Sequence, residues 1–169
     1  MKLLVVSDSH GSSGILKELA EKYSGVVDAM IHCGDSELKA DDEAIVPFIT
    51  VRGNCDMDAR FPECQVKTIV GSKVFVTHGH LFGIKMSLDK LFYRAKEEGA
   101  DFVFFGHSHL VGAERIEDII FLNPGSILLP RGRVERTYAI VEKLPQKVVV
   151  KIYDDAHSEL DDLRTEFSF

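Results

Sequence analysis

Five short clusters in this chain combine residue types that hold metal ions or move protons. They are Asp8-Ser9-His10, Gly34-Asp35, Gly53-Asn54-Cys55-Asp56, His78-Gly79-His80 and Gly106-His107-Ser108-His109. Carboxylate, imidazole and carboxamide donors together suit divalent ions such as manganese, iron or zinc. A carboxylate has two oxygens and can bridge two ions. Two bridged ions can bind a phosphoryl oxygen, generate hydroxide from water near neutral pH and stabilise an in-line displacement. The donors are nitrogen and oxygen rather than a thiolate cage, which argues against a structural zinc site. Taken singly, the clusters have plainer readings. Asp and His cap helices, Gly-Asp, Asn54 and Asp56 form turns, and His78 with His80 could be a hydrogen-bonded loop pair. The joint pattern resists that explanation. Five of the seven histidines (His10, His78, His80, His107 and His109) fall at predicted strand ends, and buried imidazoles would each need a partner. His32 falls inside a predicted strand and His157 in the tail.

The elements that must position these clusters follow from the apolar pattern. Residues 2–7 form a short apolar run bounded by polar residues, the pattern of a buried strand. Ser12 or Ser13 offers an N-cap, and Ile15, Leu16 and Leu19 predict a helix to about Tyr23. Residues 26–31 and 45–51 read as further buried strands, with a solvated acidic helix or loop over 37–43. Strand, helix, strand, helix, strand predicts a parallel sheet with right-handed crossovers. Residues 66–70 and 74–77 flank Gly71-Ser72 as a hairpin. A helix over 87–98 ends at Gly99, and 101–105 is a strand. Runs at 111–116, 119–122, 137–142 and 147–153 read as antiparallel strands joined by tight turns. The expected whole is a helix-bearing sheet packed on a second, more antiparallel sheet. Each chemical cluster follows a predicted buried strand, and α/β sheets collect ligands beyond the carboxyl ends of their strands.

The 169 residues suit one domain with a real core, with a polar, peripheral tail over 154–169. With 45% hydrophobic and 28% charged residues the chain reads as globular rather than disordered. A net charge of −7 argues against bulk nucleic-acid binding, which needs a basic face. No run approaches the roughly 18 apolar residues of a membrane span. The apolar start is cut short by Ser7, Asp8 and His10, so it fails as a secretory signal. With that start, the odd set of Cys33, Cys55 and Cys64 predicts reduced thiols in the cytoplasm. A homo-oligomer is compatible with the sequence.

The ordered set D-x-H, G-D, G-N-x-D, H-G-H and G-H-x-H resembles the calcineurin-like metallophosphoesterases. Asn123-Pro124-Gly125-Ser126 with Pro130-Arg131 resembles their small bacterial and archaeal phosphodiesterase branch. The resemblance runs from Met1 to about Tyr153. It implies an α/β fold, a four-layer α-β-β-α sandwich of two mixed sheets flanked by helices. It also implies a phosphodiesterase acting on small phosphate diesters by attack of a metal-bound hydroxide. Two divalent ions are implied, manganese first, with iron, nickel or zinc behind. By this resemblance Asp8, His10 and His109 bind one ion and Asn54, His78 and His107 the other. Asp35 bridges both, and His80 orients a ligand or contacts substrate. Two cations of about +4 against two carboxylates leave a centre of roughly +2, which attracts phosphate to an acidic protein.

One position departs from the broad family, where many members have G-N-H-D. Cys55 replaces that histidine, and a thiol is a poorer proton donor near neutral pH than an imidazolium. Slow turnover of substrates with poor leaving groups is expected. Arg52, Arg131, Arg133 and Arg136 are candidates for phosphate contact, with ordinary surface roles as the plainer reading. Cys33 and Cys64 are expected to pack as small hydrophobes. Two other functions compete. One is a phosphomonoesterase or nucleotide phosphatase on the same site. The other is a non-catalytic interaction scaffold, as in a retromer coat subunit that resembles this fold but lacks the bridging Asp and the metal-binding Asn, both present here as Asp35 and Asn54.

Overall fold

A computed structural model describes residues 1–168. Strand β1 (Lys2–Val6) shows why the chain folds in layers. Leu3 and Val5 point to one apolar cluster, while Leu4 and Val6 point to another. Period-two side chains therefore bury both faces of a strand that has no polar residue after Lys2. β1 pairs in parallel with β2 (Ala29–His32), which pairs in parallel with β3 (Phe48–Thr50). On its other side β1 meets β9 (Thr137–Lys143), followed by β10 (Lys147–Asp154) and the edge strand β11 (Thr165–Ser168), all antiparallel. The second sheet runs β4 (Cys64–Ile69), β5 (Ser72–Thr77), β6 (Phe102–Phe104), β8 (Ile119–Asn123) and β7 (Gly112–Ile116).

Three apolar layers separate four structural ones. Leu3, Val5 and Ile31 of the first sheet meet Val74, Val76, Phe102 and Leu122 of the second. Helix α1 (Ser13–Tyr23) buries Leu16, Leu19 and Tyr23 against the outer face of the first sheet. Helix α2 (Asp89–Glu98) buries Leu91 and Ala95 against Phe75, Val103 and Phe121 on the outer face of the second. Gly99 ends α2 at φ 63°, where its N–H reaches the Lys96 carbonyl. The result is the expected α-β-β-α sandwich of two mixed sheets.

Three details differ from the sequence expectation. The second and third strands are shorter than 26–31 and 45–51. Their first residues turn instead, with the N–H groups of Val26 and Val27 on the Tyr23 carbonyl and that of Ile45 on Asp42. The second sheet is not the more antiparallel one, because β5, β6 and β8 run parallel within it. The strands of the last third also divide between sheets. β7 and β8 join the second, and the 124–136 segment carries the chain across to the first. Local apolar pattern marks strands but does not say which sheet receives them. No described helix is long and apolar enough to cross a membrane.

Candidate metal centre

Six parallel strands, three in each sheet, end at the edge that carries the five clusters. Hydrogen bonds lace their loops together. The Asp8 N–H reaches the Gly34 carbonyl at 3.1 Å, the His10 N–H the Asp35 carbonyl at 3.0 Å, and the Gly106 N–H the His78 carbonyl at 3.1 Å. Space is tight. A methyl group at Gly53 would overlap the Asp35 carboxylate, and one at Gly106 would overlap the Ser7 hydroxyl. These glycines permit close approach of loops and are not ordinary turn formers. Asp8, His10, Asp35, His107 and His109 all have positive φ, between 41° and 68°. That conformation costs a non-glycine residue about 1 kcal/mol or more, and such strain gathers at functional sites.

The side chains turn their acceptors inward. His78 donates from Nδ1 to the Cys33 carbonyl at 2.8 Å, and His109 from Nδ1 to the Leu129 carbonyl at 2.7 Å. His10 donates from Nδ1 to Glu37 Oε1 at 2.6 Å. A neutral imidazole with a proton on Nδ1 has a bare lone pair on Nε2. His78 Nε2 faces Asp35 Oδ2 and Asn54 Oδ1, each at 3.2 Å. His10 and His109 bring their Nε2 atoms within 3.5 Å of each other. Asp8 Oδ1 lies 3.1 Å from His109 Nε2 and 4.0 Å from the Nε2 atoms of His10 and His78. It is buried and has no hydrogen-bond partner.

Such a gathering of acceptors repels itself unless a cation lies among them. The chemistry fits a divalent metal, because the donors are imidazole nitrogens, carboxylate oxygens and a carboxamide oxygen. Each outer Nδ1 is anchored on a carbonyl or carboxylate, as ligating histidines usually are. Three groups of potential ligand atoms lie within 4.8 Å of one another: Asp8, His10 and His109; Asp8, Asp35 and His78; and His10, Asp35 and Cys55. Asp35 and Asp8 each belong to two of these groups. His107 belongs to none of them, and its ring lies beside those of His78 and His80, at 5.1 and 6.1 Å between centroids.

The electrostatics agree. Burial disfavours a charged His78, yet the carboxylates of Asp35, beside its Nε2, and of Asp8 outweigh it and raise its pKa. The Asp8 carboxylate beside its Nε2 likewise raises the pKa of His109 against burial. The same pull acts on any cation placed there. Burial would raise Asp35, but His78 and the Cys55 amide hold its carboxyl well below the usual range. Burial and the charges of His78 and Lys85 lower His107 to about 4, and burial and His78 lower His80. Burial, then the charge of Asp35, pushes the exposed Cys55 thiol up to about 11.

The remaining candidates divide. Arg133 bonds Glu135 and Asp162, and Arg136 bonds Asp155, so both are held in ion pairs. Arg52 donates from Nε to the Asp56 carbonyl at 3.3 Å and lines a cavity with Asn54 and His80. Cys33 is fully buried and Cys64 partly so. His32 is buried and neutral, its pKa lowered to about 4 by burial, and bonds Ser9 at 2.9 Å.

The positioning roles of several residues are not visible in the sequence. Asp56 accepts four hydrogen bonds, from the N–H groups of Asp35, Glu37 and Gly53 and from the Ser36 hydroxyl. It pins the Asp35 loop to the Asn54 loop. Its place in G-N-x-D was the available signal. Asn123 holds the Gly106 carbonyl at 3.0 Å, and Ser126 holds the Asp8 carbonyl at 2.8 Å. Glu37 anchors His10 from 27 residues away with no motif of its own.

Comparison with known proteins agrees with this geometry. The model for the calcineurin-like phosphoesterase superfamily domain matches residues 1–144. A Bacillus subtilis protein named probable metallophosphoesterase YsnB is 44% identical over 97% of both chains. The Escherichia coli phosphodiesterase YfcE is 30% identical over 84% of this chain and 88% of its own. A Streptococcus pneumoniae crystal structure described as a predicted phosphoesterase superposes with a TM-score of 0.96 at 41% identity, covering 99% of this chain and 97% of that one. The fold alone is shared with vacuolar protein sorting 29 from Cryptosporidium parvum, at TM-score 0.75 and 20% identity over 99% of this chain and 98% of that one. Strand-end polar clusters, fold and relatives converge, and the chain belongs to the calcineurin-like phosphoesterase superfamily.

Proposed function

We propose that this protein is a metal-dependent phosphodiesterase that cleaves small phosphate diesters, with two divalent cations, manganese first among the candidates. The observation that carries this reading is the inward convergence of lone pairs around Asp8 Oδ1 and Asp35 Oδ2. Asp8, His10 and His109 would hold one cation and Asn54, His78 and His107 the other, with Asp35 shared between them. Bound there, the ions supply Lewis acidity toward phosphate and a more acidic water. The chain's own residues do the rest. Cys33, Leu129 and Glu37 fix the ring orientations, and Asp56 fixes the loop that presents Asp35. His80 faces the centre as a substrate contact. Cys55 keeps its proton near neutral pH and donates it reluctantly, so good leaving groups are favoured. The YfcE relative is named a phosphodiesterase, which supports diesters over monoesters. The three free thiols support a reducing, cytoplasmic setting.

The test is hydrolysis of an aryl phosphodiester by chelator-stripped protein with manganese added back, beside Asp35→Asn. Activity should need the metal and fall on the order of a thousandfold in the variant. An aryl monoester run on the same preparation decides between the two esterase classes. Bound metal without hydrolysis of either ester would move the assignment to an interaction scaffold.

A further inference from the structure

Two cavities flank the candidate centre. One, of about 300 Å³, is lined by Arg52, Asn54, Glu63 and His80. The other, of about 490 Å³, adjoins the segment between His107 and His109 through Ser108. Its wall is mostly apolar, with Ile84, Leu88, Phe105 and Leu110. Its charged residues are the cations Lys85 and Arg131 and one carboxylate, Glu114. A phosphate diester has two arms, and a centre that cleaves it must seat both. A monoester needs only one seat.

Arg131 stands out by elimination. The chain has eight arginines, and the side chains of the other seven all make a hydrogen bond or ion pair. Among the described residues the Arg131 guanidinium makes none, although its backbone N–H holds the His109 carbonyl at 3.2 Å. Lys85 also makes no ion pair or side-chain hydrogen bond there, and its charge reaches His107. In a protein of net charge −7, two uncommitted cations against the single carboxylate of Glu114 leave a cavity beside the candidate centre with a net positive charge, which suits an anion. The cavity is also in the size range of small-molecule sites.

We propose that this cavity binds the retained arm of a phosphate diester, taking an apolar or aromatic group, with Arg131 and Lys85 countering the charge of the phosphate. This rests on the phosphodiesterase reading. The arm that leaves goes to the other side, toward the cavity lined by Arg52, Asn54, Glu63 and His80. The favoured substrates are therefore diesters with at least one bulky apolar or planar substituent.

The experiment is calorimetric binding of diphenyl phosphate and dimethyl phosphate to the manganese-loaded protein, at equal ionic strength. Diphenyl phosphate should bind about tenfold more tightly, the gain expected from removing one ring from water. Gly112 lines the cavity and has no atom within 4 Å of an added Cβ, so Gly112→Phe can fill it from an open position. In that variant the preference should collapse to about twofold or less, with far-UV circular dichroism and melting temperature retained. Arg131→Gln should weaken binding of both esters. If Gly112→Phe does not fold, Leu110→Glu puts a charge on the same wall and decides instead. Equal binding of the two esters by the parent protein, or an undiminished preference in a folded variant, overturns the proposal. Hydrolysis of an aryl diester without this preference would leave the phosphodiesterase reading standing and remove only the cavity. The preference without any hydrolysis would keep the cavity and remove the phosphodiesterase reading.

Discussion

Two polar clusters among the described residues contain buried histidine or tyrosine, and they differ in how their donors and acceptors are matched. Beneath α1, the Tyr23 hydroxyl bonds that of Tyr138 at 2.8 Å, Tyr138 bonds His157 Nδ1 at 3.0 Å, and His157 Nε2 bonds Glu18 at 2.9 Å. Read as Tyr23 donating to Tyr138, Tyr138 to His157 and His157 to Glu18, every donor meets an acceptor. Burial, then the bond to Tyr23, raises the Tyr138 pKa far above its ordinary value, so the hydroxyl keeps its proton. At the strand ends the donors are spent outward and the acceptors face one another. Among the described residues, the buried side-chain atoms without a partner are Asp8 Oδ1 and His80 Nδ1, both in that second cluster. Residue type does not separate the two regions, because both use histidine and carboxylate. The balance of donors and acceptors does.

The sharpest test of that contrast is removal of metal. A chelator should reduce diester hydrolysis to background while far-UV circular dichroism stays unchanged, because three apolar layers hold the fold without the site. The melting temperature should fall and recover with added manganese. Saturation at a hundred times Kd is worth about 2.7 kcal/mol. Collapse of the far-UV spectrum would mean that the strand-end cluster is structural, like the tyrosine cluster.

Asp56→Ala should come next in size. The change removes a carboxylate that accepts four hydrogen bonds and leaves buried donors behind. Stability should drop by about 3 kcal/mol in urea unfolding. Activity per folded molecule should drop about 10- to 100-fold, as for residues that orient metal ligands. Full activity in the folded fraction would show that Asp56 serves the fold alone.

How much of this was legible in advance follows from where each contact lies along the chain. The five chemical clusters are local words, and each follows its strand directly, so type and order suffice to place them at one sheet edge. The first βαβ unit and the hairpin around Gly71 are equally local. Glu37 on His10, Leu129 on His109 and Asn123 on Gly106 join loops far apart in sequence. Nothing in those segments signals the partner. Nor did the positive φ of Asp8, His10 and His107 show, because no glycine or turn motif marks those positions. The strands within 26–31 and 45–51 are shorter than their apolar runs, since an apolar run cannot reveal that its first residues close a turn. Pro47, with no N–H to give to a ladder, was the one local hint in the second of these.

Cys55→His should move selectivity more than stability. Cys55 is exposed, so the exchange disturbs no core. An imidazole there titrates near neutral pH and protonates a departing alkoxide better than the thiol. The ratio of rates for alkyl and activated aryl diesters should rise about tenfold, the low end of a general-acid contribution being nearer a hundredfold. An unchanged ratio would remove Cys55 from the leaving-group side.

Tyr138→Phe carries the smallest expected effect and is the control for the comparison. It deletes one hydroxyl between Tyr23 and His157 without touching the strand-end loops. Both neighbours lose a partner, and one of them lies in the partly exposed tail where water can substitute. The cost should be about 1–2 kcal/mol in urea unfolding, with kcat/KM for an aryl diester unchanged. A satisfied network contributes to stability and nothing more, so a loss of hydrolysis in a folded Tyr138→Phe protein would break the distinction between the two clusters. Retained hydrolysis with lowered stability would place the chemistry where acceptors face each other, and the packing where donors meet them.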